Sequence, residues 1–141
     1  MRYVLDSNVA LKWELPEPDS GQALKIRDAC ARGIHNVLAP DVFPVEVAHA
    51  LSKAERQRIL TSAEGSKALV RMMAILPSLH PTLPILTRAY EISSNARIGV
   101  YDCLYVALAE AQNCPMLTAD KRLISALGKD FHFLVDLASI P

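Results

Sequence analysis

Short apolar runs alternate with longer helical stretches along nearly the whole chain, and this alternation most constrains the fold. The runs read as strands at residues 2–5, 37–39, 79–82, 115–118 and 131–135. Between them the spacing predicts helices over residues 8–14, 18–32, 44–57, 61–75, 84–95, 101–112 and 120–127. The punctuation agrees. Gly33 stands just past the second helix, Pro44 is tolerated in the first turn of the third, and Thr61 with Glu64 forms a capping-box pattern for the fourth. Strands alternating with helices imply an α/β fold, a three-layer α/β/α sandwich around a mainly parallel sheet. No repeat or linker interrupts the chain, so one domain over residues 1–141 is expected.

In such sheets ligands bind in the crevice beyond the carboxyl ends of the strands. Two acids sit there: Asp6 follows the first strand and Asp120 follows the fourth. Two more stand at helix starts, Glu46 after Pro44 and Asp102 at the head of an apolar helix. Each has an ordinary structural reading as well. An acid in a first turn is favoured by the helix dipole, and an aspartate after a strand often caps the next helix. It is the conjunction of four that points to a site. Acids converging in a crevice resist ionisation unless a cation neutralises them, and an all-oxygen donor set suits Mg2+ or Mn2+. Such an ion reverses the field that would repel a phosphodiester and lowers the pKa of an attacking water. No covalent nucleophile stands beside a base in a recognisable motif.

At these residues the chain resembles a PIN domain, and in particular the VapC-type toxins of bacterial and archaeal toxin–antitoxin pairs. The matching segments are YVLDSNV, PVEVAHAL, YDCLYVALA and LTADKRL, in order and spread over essentially the whole chain. The resemblance implies an α/β/α sandwich and Mg2+- or Mn2+-dependent cleavage of RNA. Asp6, Glu46, Asp102 and Asp120 match the family's acidic quartet. Asp6 and Asp102 would be the firmest metal ligands, with Asp120 direct or through water and Glu46 as base or orienter of water. Asn8 and Thr118 would hydrogen-bond ligands or water. A homodimer and a small antitoxin protein plugging the acidic groove are also implied.

Composition narrows the rest. The chain is 51% hydrophobic with no net charge, so any nucleic acid must be held by a local basic patch rather than by bulk charge. Lys121 and Arg122 adjoin Asp120 and are the leading candidates for phosphate contacts, with Lys12, Arg88 and Arg97 behind them. The remaining basic residues read as solvated helix faces. Trp13 and Tyr101 could stack a base, although partial core burial is the simpler expectation for each. Glu46 and His49 share the Glu-x-x-His spacing of carboxylate di-iron bundles, but only one such motif is present, which leaves His49 at a groove edge or on a helix surface. His35, His80 and His132 are expected as exposed residues near strand ends. The three cysteines, Cys30, Cys103 and Cys114, lack a zinc or redox spacing and are expected as buried thiols. Charged residues make up only 21%, consistent with a partner or second subunit covering part of the surface. No signal peptide or membrane span is expected, and the cytoplasm follows. Two other readings compete with the nuclease: a catalytically silent module binding RNA or peptide, and a metal-dependent nuclease acting on DNA.

Overall fold

The first strand organises everything else. In the computed structural model, which describes all 141 residues, β1 (Arg2–Leu5) lies at the centre of a five-stranded sheet ordered β3-β2-β1-β4-β5. The others are β2 (Asn36–Pro40), β3 (Ser78–His80), β4 (Met116–Thr118) and β5 (Leu134–Asp136), and every pairing is parallel. Val4 is registered with Leu38 on one side and Met116 on the other. Central strands of a parallel sheet are covered on both faces, which is why β1 and β2 are continuous apolar runs rather than alternating ones.

Seven helices connect the strands: α1 (Ser7–Leu11), α2 (Ser20–Ala31), α3 (Phe43–Arg56), α4 (Ser62–Ala74), α5 (Leu86–Ala96), α6 (Val100–Gln112) and α7 (Lys121–Leu127). The chain steps outward from β1 through β2 to β3, then crosses back to β4 and β5. With right-handed crossovers, α1–α4 cover one face of the sheet and α5–α7 the other. The three-layer α/β/α expectation therefore holds, and the sheet is wholly parallel. Helix α6 lies against β1, β2 and β4, with α5 packed upon it. It is buried without interruption from Cys103 to Ala109, as its all-round apolar sequence requires.

Several boundaries move for local reasons. Helix α1 stops at Leu11 instead of running to Glu14, because Trp13 turns into the core and its indole N–H donates to the Ala23 carbonyl at 2.9 Å. Helix α2 begins two residues later than expected, since Asp19 takes a left-handed conformation (φ 64°) ahead of it. It ends at a left-handed Gly33 (φ 70°), where a side chain would be strained. The Thr61–Glu64 capping box forms with both reciprocal bonds. The last strand is displaced toward Asp136, because Phe131 is held in a turn by its N–H bond to the Leu127 carbonyl. Helix α6 starts one residue early, which places Asp102 third in the helix. All three cysteines are free thiols, and Cys103 and Cys114 are buried while Cys30 is half-buried. His35 is half-buried against Tyr3 rather than exposed. No helix is long and apolar enough to cross a membrane.

Candidate active site

The strand order reverses between β1 and β4, and the candidate acids gather at that switch point. Asp6 leaves the carboxyl end of β1 and caps α1, accepting a bond from the Asn8 N–H at 3.4 Å. Thr118 closes β4, and its hydroxyl donates across the switch point to Asp6 Oδ2 at 2.9 Å. The same hydroxyl oxygen accepts from the Asp120 N–H at 3.1 Å. The Asn8 amide donates to Asp6 Oδ2 at 3.2 Å and to Thr118 Oγ1 at 3.4 Å, while its carbonyl accepts from the Ala119 N–H at 3.1 Å. Asn8 and Thr118, expected as supporting residues, thus bind Asp6 to the β4–α7 turn.

Asp6 is 3% exposed, and no lysine, arginine or histidine is paired with it. Burial pushes its carboxyl up to about 7. The nearby charges of Asp102 and Glu46 push the same way, against the hydrogen bonds from Thr118 and Asn8. Glu46 is raised by burial and by Asp102, although the Tyr105 and Ser7 hydroxyls partly stabilise its charge. Asp102 is raised by burial and by Asp120, with Arg122 opposing. These mutual effects link the four acids into one negative cluster.

The structure separates capping from other roles. Asp120 is a true N-cap, with Oδ1 accepting from the Arg122 and Leu123 N–H groups at 2.9 and 3.2 Å. Asp102 does not cap α6, whose N-cap is Gly99. Glu46 does not cap α3 either. Its Oε1 accepts from the Tyr105 hydroxyl at 2.6 Å and from the Ser7 hydroxyl at 3.5 Å. Neither donor was singled out from the sequence. Tyr105 lies within an apolar helix and reads as core, and the only signal was its spacing of three from Asp102, which puts both on one helix face.

Beside Glu46 opens a groove of about 630 Å³, bounded by Ser7, Leu11, Val45, His49 and Tyr101 among others. His49 sits at its edge, as expected. Tyr101 is 58% exposed on this groove rather than partly buried, whereas Trp13 is buried and unable to stack a base. A separate cavity of about 380 Å³, lined by Trp13, His35 and Asn36 among others, contains no carboxylate and lies near the amino ends of β2 and β3.

The basic candidates divide. Lys12 reaches Glu17 at 3.3 Å and the Pro18 carbonyl at 2.8 Å, where it ties down the loop after α1. Arg88 is held by Glu110 and Glu91. Lys121 reaches Asp136 at 3.2 Å across the surface. Arg122 is exposed, and its charge reaches Asp102.

A divalent cation fits the chemistry of this donor set: oxygen ligands only, unpaired buried charge, and mutual repulsion that a cation would relieve. No three acidic or imidazole side chains are gathered tightly enough to enclose an ion by themselves. An ion here would therefore take few protein oxygens and complete its shell with water and phosphate, as Mg2+ commonly does.

The family model for the PIN domain matches residues 3–129. Ribonuclease VapC12 of Mycobacterium tuberculosis is 34% identical over 125 residues, covering 89% of this chain and 92% of the relative. Among solved structures, PAE2754 from Pyrobaculum aerophilum superposes with a TM-score of 0.72 at 16% identity, covering 99% of this chain and 85% of that one. VapBC2 from Rickettsia felis, bound to a DNA fragment from its promoter, superposes with a TM-score of 0.63 at 17% identity and 96% coverage of both chains.

Proposed function

The chain belongs to the PIN-domain family, and from that premise we propose that it is an endoribonuclease, the toxin of a toxin–antitoxin pair, dependent on Mg2+ or Mn2+. The observation that carries this reading is the Asp6 carboxylate, buried at the switch point with other acids around it and no cationic partner. An unpaired buried charge is costly to a fold, and its presence in a crevice supports a functional role for Asp6. The VapC ribonuclease relative, aligned over most of both chains, supports RNA as the substrate.

When bound, a divalent ion supplies positive charge for the scissile phosphate and acidifies a water. Asp6 and Asp102 would hold it, with Asp120 contributing through its second oxygen, since Oδ1 already caps α7. Thr118 and Asn8 keep Asp6 aimed into the crevice. Glu46, with its raised affinity for protons, accepts a proton from the attacking water or orients it. Arg122 and Lys121 would meet the phosphate backbone. A small antitoxin would occupy the groove beside Glu46. A homodimer would bury the exposed Leu83, Leu86 and Tyr90 at and before α5.

Matched RNA and DNA oligonucleotides incubated with purified protein test this reading. Cleavage of RNA alone is expected with Mg2+ or Mn2+, and none in excess chelator. Undiminished cutting in chelator would sink the metal mechanism. Preferential cutting of DNA would overturn the substrate, and tight RNA binding without cleavage in Mn2+ would favour a silent binding module.

A further inference from the structure

Three elements meet on one oxygen atom. Glu46 Oε1, on α3, accepts from Tyr105 on α6 at 2.6 Å and from Ser7 on α1 at 3.5 Å. Glu46 Oε2 takes neither bond. We infer that Tyr105 is a positioning residue for Glu46: its buried hydroxyl, with Ser7, pins one carboxylate oxygen so that the other alone faces the reacting water.

A buried tyrosine hydroxyl needs a partner, and a backbone carbonyl would satisfy it. Here the partner is instead a half-buried carboxylate of the acidic cluster, and the bond is short and charge-assisted. Tyr105 is 1% exposed, wedged among α6 neighbours that are themselves buried, so its ring has no freedom to follow a moving glutamate. A free glutamate samples several rotamers about three torsions, while one tied at Oε1 keeps its second oxygen in one direction. The anchoring elements matter too. Ser7 is the neighbour of Asp6, and Tyr105 lies one helical turn beyond Asp102 on the same face. The two donors thus set the position of Glu46 relative to the two acids most suited to hold a cation. This gives Glu46 a single-oxygen role toward water and disfavours bidentate coordination. The inference rests on the nuclease reading proposed above.

The test is Tyr105→Phe, which keeps the ring and removes only the hydroxyl. With RNA and Mn2+, kcat is expected to fall about tenfold, the scale of one lost charge-assisted hydrogen bond. KM and Mn2+ affinity, the latter measured by electron paramagnetic resonance, are expected to stay within about twofold, because the hydroxyl touches neither ion nor substrate. In chelator, a double-mutant cycle of Tyr105→Phe with Glu46→Ala, read by urea unfolding, is expected to be non-additive, since the bond exists without metal or substrate. If the core rejects the phenylalanine, Ser7→Ala removes the second donor from the groove side and is expected to lower kcat about twofold to threefold.

An unchanged kcat in Tyr105→Phe, beside an inactive Glu46→Gln, overturns the inference and leaves the nuclease reading intact. A joint fall of kcat, Mn2+ affinity and stability in an additive cycle also overturns it, since general loosening would explain all three. Full cleavage by Glu46→Gln overturns the role of Glu46 itself, and the inference with it.

Discussion

Asp6→Asn is expected to abolish RNA cleavage while raising the melting temperature of the metal-free protein. Both effects come from one charge. The Asp6 carboxyl is pushed from 3.8 to about 7 in the fold, chiefly by burial. Because the folded value lies above the unfolded one, the native state binds the proton more tightly. Stability contributed by this group is therefore full below about pH 4, declines as the pH rises toward about 7, and stays at the lower level above that. A displacement of about three units corresponds to ~4 kcal/mol at most. Glu46 and Asp102, also raised, add to the same slope.

Asparagine has nearly the same shape, remains a good N-cap for α1 and carries no charge, so this penalty disappears. At pH 8 in chelator the variant should melt several degrees above the parent, a ~2 kcal/mol gain for a domain of this size. At about pH 3.5, below the unfolded value, the two curves should nearly coincide. Mg2+ should raise the melting temperature of the parent and leave that of the variant unmoved. Cleavage should drop by a factor on the order of 10³ or more, as a field that must reverse around an anionic substrate loses its anchor. A variant that melts lower than the parent at pH 8, or that still cuts RNA, would contradict this account.

Thr118→Val should be the most damaging single change that leaves every acid in place. The two side chains are isosteric, but the threonine hydroxyl is fully buried and serves three neighbours: Asp6, Asn8 and the Asp120 N–H. Valine leaves the half-buried Asp120 N–H without its acceptor and the buried Asp6 without its donor. Stranded buried groups of this kind cost ~1–3 kcal/mol each, and the turn that aims Asp120 loses its tie to β1. Unfolding in urea should show a loss of ~2–3 kcal/mol, with cleavage down about a hundredfold. Thr118→Ser keeps the hydroxyl and should recover most of the activity. Equal stability and activity in the valine variant would show that the network is incidental.

How much of this could be seen beforehand varied by residue. Asp6 and Asp120 were legible because a positional rule of parallel sheets places ligand groups after strands, and both lie there. The strand order that makes β1 and β4 neighbours is a long-range property, invisible in local periodicity. Asp102 was ambiguous because an acid in a first helical turn looks the same whether it caps or not. Only the backbone, with its N-cap at Gly99, separates the two. Tyr105 was hidden because a tyrosine in an apolar helix reads as core and its partner stands 59 positions away. The Lys12–Glu17 pair is equally invisible, since nothing local announces that the chain turns back to bring Glu17 to it. The last strand was misplaced because the alternation around Phe131 and Phe133 imitates a strand where the chain makes a turn packed by those two rings.

The bond between Thr118 and Asp6 spans 112 positions of the chain. It joins two strands that are neighbours in the sheet and distant in the sequence. The sheet can pair β2 and β3 with β1 early, but the crevice has only one wall until β4 is laid against β1. Without that strand Asp6 lacks the Thr118 hydroxyl, and Asp120 has no place opposite it. The topology thus makes the crevice an all-or-none property of the sheet: neither half of the chain holds a finished site, and both walls come into being in the single step that lays β4 against β1.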